Sequence, residues 1–139
     1  MSAKGRWKAR TVIAALALPP LLSAMSFARL ARWVGGRRAA LAPAPPDADL
    51  AEWTETVLRR LPPPWRYTCL RRGIVLYYLL RKAGRQATLH IGVRRDDHGA
   101  FVAHAWLTRA GALLLEPPTN DPARYRVIAS FPETDTAAR

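Results

Sequence analysis

The hydrophobic period changes at Gly84, and that change limits the folds open to this chain more than any other feature. Upstream, Leu70, Ile74, Tyr77 or Tyr78, and Leu80 recur at helical spacing from Cys69 to about Ala83; Thr68 is placed to cap this helix and Gly84 to end it. Downstream, Leu89, Ile91 and Val93 alternate with Thr88, His90 and Gly92, the pattern of a strand. Asp96-Asp97-His98-Gly99 reads as a turn, Phe101 to Thr108 as a second strand and Ala112 to Glu116 as a third. Pro117-Pro118 forbids continuing that ladder, and Tyr125 to Ala129 offers a short fourth strand. A helix leading into an antiparallel meander predicts an α+β domain, with Cys69 at a helix N-terminus packed on a small antiparallel sheet.

Ahead of this unit, Asp47 or Asp49 can cap a helix running to about Leu61, with Trp53, Val57 and Leu61 at helical spacing and Pro62-Pro63-Pro64 as its stop. Residues 35–49 read as a linker, with Gly35-Gly36 followed by Pro43, Pro45 and Pro46. Residues 11–28 are mostly apolar and follow a basic run of Lys4, Arg6, Lys8 and Arg10. A transmembrane span is disfavoured, because the run is short and Pro19-Pro20 interrupts it. A signal peptide would fit the basic start and the small residues Ser26 and Ala28. The preferred reading is a helix that packs on the domain or lies on a membrane surface, with Arg29, Arg32, Arg37 and Arg38 suited to anionic headgroups. The chain thus divides into a basic, apolar N-terminal segment with its linker (1–46), one domain (47–130) and a tail expected to be disordered (131–139).

With 139 residues the chain has room for one domain, and its single cysteine excludes an internal disulfide and a Cys-rich zinc site. No cofactor or metal is expected. The net charge of +12 favours anionic partners. It rests almost wholly on arginine, and the arginines are spread without aromatic interleaving, so a nucleic-acid module ranks low.

The chemistry lies in the order of three residues. A thiol at a helix start feels the positive end of the dipole and free N–H groups, which favour thiolate; Arg71 and Arg72 could add to this. His104, within Ala103-His104-Ala105-Trp106, has small neighbours that leave room for a thiol and a substrate. Reading Arg109-Ala110-Gly111 as a three-residue turn centred on Ala110 places Glu116 opposite His104, where a carboxylate can hold the imidazole tautomer. Asp121 is the alternative acid, while Asp96 and Asp97 belong to a solvated turn. Taken singly, each residue has a bland structural reading; their order points to a cysteine hydrolase with Cys69 as nucleophile.

The blocks Trp65-Arg66-Tyr67-Thr68-Cys69-Leu70-Arg71-Arg72 through Leu79-Leu80-Arg81, Leu89-His90-Ile91-Gly92-Val93 and Ala103-His104-Ala105-Trp106 resemble the transglutaminase-like leader peptidases of lasso peptide biosynthesis, over roughly residues 50–118. The resemblance implies a papain-like, transglutaminase-type α+β core, to which residues 1–46 are expected to add extra N-terminal helices. It implies Cys69 as nucleophile, His104 as base and an acid on the strand after it, where the family usually shows aspartate and this chain has Glu116. His90 lies in a matching block and reads as structural. The implied partners are a leader–core precursor peptide, a separate leader-recognition protein of PqqD-like fold and an asparagine-synthetase-like cyclase that closes the macrolactam. A cytoplasmic location is expected, and membrane-surface association through residues 1–38 is compatible with the pattern. Two other functions are open: acyl transfer to an amine at the same site, and a non-catalytic basic binding module with Cys69 buried.

Overall fold

In a computed structural model, residues 3–36, 44–62, 68–114 and 122–132 are described. Four helices, α1 (Ala3–Ala24), α2 (Phe27–Gly36), α3 (Asp47–Arg60) and α4 (Cys69–Lys82), precede four strands, β1 (Thr88–Arg95), β2 (Phe101–Arg109), β3 (Ala112–Leu114) and β4 (Arg126–Phe131). A short 3₁₀ turn at Pro122–Arg124 leads into β4. The strands form one antiparallel sheet in the order β3-β2-β1-β4. The architecture is α+β, as the change of period at Gly84 requires.

The central element is α4. Thr68 caps it by accepting a hydrogen bond from the Arg71 N–H at 3.1 Å. Its other end closes in a Schellman turn: Gly84 takes φ 76°, its N–H donates to Arg81 O, and the Arg85 N–H donates to Leu80 O. Burial extends further around the helix than one amphipathic face. Ile74, Val75, Leu76, Tyr77, Leu79 and Leu80 are all buried, because α1, α2 and α3 pack on α4 as well as the sheet does. The sheet approaches closely at Gly73, where a Cβ would lie 3.1 Å from Leu89 and 3.2 Å from Ala105. Leu89, Ile91, Ala105 and Leu107 complete the core on that sheet face.

Several local expectations are corrected. The α3 stripe is Leu50, Trp53, Thr54 and Leu58 rather than Trp53, Val57 and Leu61, so the helix is rotated from the expected setting. Its N-cap is Pro46, without a side-chain cap; Asp47 instead pairs with Arg85 at 2.7 Å and Arg109 at 2.8 Å, tying the start of α3 to α4's far end and to β2. Pro19 and Pro20 do not break α1, which runs through both. Gly35 and Gly36 end α2 rather than opening a linker, and a side chain at Gly35 would collide with the Tyr77 hydroxyl.

The N-terminal helices join the same core: Trp7, Leu18, Leu30, Ala31 and Val34 cluster with Leu50, Tyr77 and Leu79. Among the described residues no helix is long and apolar enough to cross a membrane. Of the expected tail, only Phe131 and Pro132 are described, and Phe131 is a buried strand residue.

Candidate active site

Cys69 is the first residue of α4, and its thiol reaches the backbone of β2, with Sγ 3.7 Å from Ala103 O. His104, the next strand residue, hydrogen-bonds to the thiol through its side chain. Burial pushes the Cys69 pKa up. The His104 hydrogen bond, the backbone of Ala105, the charge of His104 and the backbone of Leu70 more than offset this, holding the thiol below its ordinary range. Helix start, strand backbone and imidazole thus converge on one sulfur atom. Arg72 is buried and donates from Nε to Glu55 at 2.9 Å, so its charge is committed to locking α4 onto α3 one turn from the thiol.

The His104 ring is held in an aromatic layer. It stacks on Trp106, with centroids 5.8 Å apart, and lies 5.2 Å from Tyr125, whose ring is 6.1 Å from Trp106. Gly92, paired with His104 across the β1–β2 ladder, makes room for this layer: a Cβ there would sit 2.8 Å from Trp106 and 2.9 Å from Tyr125. His104 is 4 % exposed, so its ring is fixed by packing while Cys69 keeps partial access to solvent. Tyr125 was invisible in the sequence as a site residue. It stands just ahead of β4, and only the pairing of β4 beside β1 brings it to His104.

His90 occupies a different position. Its ring nitrogens each lie 2.8 Å from a hydroxyl, Nδ1 from Ser130 and Nε2 from Thr108, while burial lowers its pKa. With both nitrogens engaged, the ring bridges β4, β1 and β2 behind Trp106, 5.6 Å away.

The hairpin between β2 and β3 differs from the expected three-residue turn centred on Ala110. Ala110 and Gly111 both have positive φ, 53° and 82°, giving a two-residue turn in place of three. Leu107 therefore pairs with Leu114 and Thr108 with Leu113, one step away from the pairing expected for a turn centred on Ala110. Glu116 and Asp121 themselves lie outside the described residues.

A thiol of lowered pKa in contact with an imidazole can act as a nucleophile toward acyl groups, the imidazole moving the proton. Comparison with curated proteins and with solved structures gave no significant match. The family model described as Transglutaminase-like superfamily matches residues 14–130, a span that takes in the second half of α1, all later elements except the last residue of β4, and both Cys69 and His104. On this match over most of its length, the chain belongs to the transglutaminase-like superfamily.

Proposed function

We propose that this protein is a cysteine peptidase that removes the leader from a ribosomally made lasso peptide precursor before a partner cyclase closes the macrolactam. The observation that carries the peptidase reading is the Cys69–His104 hydrogen bond at the start of α4, which favours the thiolate. The thiolate attacks the scissile carbonyl, and the N–H groups of the first helical turn face the developing oxyanion. As the carbon–nitrogen bond breaks, His104 gives its proton to the leaving amine. Water, deprotonated by His104, then cleaves the thioester and frees the thiol. The acid that orients His104 is assigned to Glu116, with Asp121 as the alternative.

The choice of substrate rests on the sequence blocks around Cys69, His90 and His104, which resemble those of lasso leader peptidases. A separate PqqD-like recognition protein would hold the leader. The test is cleavage of precursor in the presence of that recognition protein, followed by mass spectrometry. Wild type is expected to release leader and core, and Cys69→Ala to lose at least a thousandfold in rate. Cleavage by the variant at the wild-type rate would refute the mechanism. If added amine is found on the product acyl group in place of water, the acceptor is wrong and the protein is an acyl transferase.

A further inference from the structure

Between Thr11 and Ala28 the chain carries no charge, and α1 is apolar all round over that stretch. A helix of this kind is normally covered on every side. Here one side is: Trp7, Thr11, Ala15 and Leu18 are buried in the fold. The opposite side is open, with Val12 39 %, Ile13 66 % and Leu16 43 % exposed. Trp33 of α2, 49 % exposed, extends the patch. Ile13 and Trp33 also line an apolar pocket of about 180 Å³ between α1, α2 and α4, together with Ala17, Leu21, Val34 and Tyr78.

The charge around this patch has one sign. Residues 1–46 contain no aspartate or glutamate, the first acid being Asp47, but they contain Lys4, Arg6, Lys8, Arg10, Arg29, Arg32, Arg37 and Arg38. Lys4, Arg6, Lys8, Arg29 and Arg32 are exposed on the two helices that carry the patch. A second copy of the chain would bring the same cationic rim against itself, so self-association is opposed by like charge. An exposed tryptophan and aliphatic side chains inside a rim of lysine and arginine match the interface of an anionic bilayer. Among the described residues no helix can cross the membrane, so the match is to its surface.

We propose that the outer face of α1 and α2 docks on an anionic phospholipid surface. Val12, Ile13, Leu16 and Trp33 enter the boundary between headgroups and acyl chains, and the surrounding lysines and arginines contact the headgroups. This reading is independent of the reaction catalysed at Cys69.

The test is flotation of the full chain with vesicles of phosphatidylcholine alone or mixed with phosphatidylglycerol. Binding to the mixed vesicles is expected to be at least tenfold tighter than to phosphatidylcholine, and to weaken severalfold as salt is raised and the charges are screened. The double substitution Ile13→Glu, Leu16→Glu changes exposed positions and is expected to reduce flotation to background. The second variant, Arg29→Gln, Arg32→Gln, leaves the apolar patch intact and is expected to lose severalfold affinity for the mixed vesicles only. Absence of vesicle binding, equal binding to both compositions, or unchanged binding by both variants would overturn the proposal. So would a stable dimer that the Ile13→Glu, Leu16→Glu change dissociates, since the patch would then belong to a second copy.

Discussion

At the scale of single residues, the site depends on which atoms are present and which are missing. Cys69 gains its lowered pKa from an imidazole and from backbone N–H groups. Gly92 contributes by lacking a Cβ, which leaves the layer of Trp106 and Tyr125 intact beneath His104. Gly92→Ala is therefore expected to destabilise the fold by about 1–3 kcal/mol through overpacking. Thermal unfolding would register this as a lower Tm, and alkylation of Cys69 would slow because His104 loses its support. An unchanged Tm and alkylation rate would mean that the layer is loosely held. The nucleophile and its imidazole partner were legible as candidates because their signals are local: a helix start after a capping threonine, and a histidine between two alanines. Tyr125 was not legible, since its approach to His104 depends on how β4 is seated across the sheet.

At the scale of elements, α4 and the β1–β2 hairpin could be read closely from the sequence because capping, periodicity and turn chemistry agree there. The helix caps at Thr68 and Gly84, and the Asp96–Gly99 turn is closed by Asp96 Oδ1, which accepts from the His98 and Ala100 N–H groups at 2.8 and 2.9 Å. The β2–β3 hairpin differs from the expected pairing by one register step, and the reason is a single residue. An alanine at φ 53° goes against its steric preference, so nothing at position 110 announces a two-residue turn. One step of register exchanges the faces of a strand, so this turn decides which β3 residues share a face with His104. Ala110→Gly is expected to stabilise the protein by about 0.5–1 kcal/mol, the relief of left-handed strain exceeding the added chain entropy of glycine. Urea unfolding would show a higher midpoint at unchanged slope; a lower midpoint would contradict the two-residue turn.

At the scale of the whole molecule, the sequence divided the chain into a basic N-terminal segment and a domain, while the folded chain places parts of both in one hydrophobic cluster. Helical spacing could not reveal this for α1, because an apolar run without a polar face carries no direction. It also could not show that α4 would be enclosed by three helices and a sheet, an arrangement set by packing partners rather than by its own pattern. The outcome is a buried scaffold that fixes the start of α4 against β2, with the Arg72–Glu55 pair anchoring the first turns. The central claim is that this scaffold turns the Cys69 thiol into a nucleophile through His104. The most direct measurement is the pH dependence of Cys69 alkylation by iodoacetamide in the wild type and in His104→Ala. Deprotonation in the wild type is expected to have its midpoint below that of an ordinary thiol, so that reactivity is retained as pH falls toward neutrality. In His104→Ala the midpoint is expected to move up and the rate at neutral pH to drop by tenfold or more. A wild-type thiol that resists alkylation, or a midpoint that does not move when His104 is removed, would contradict the account.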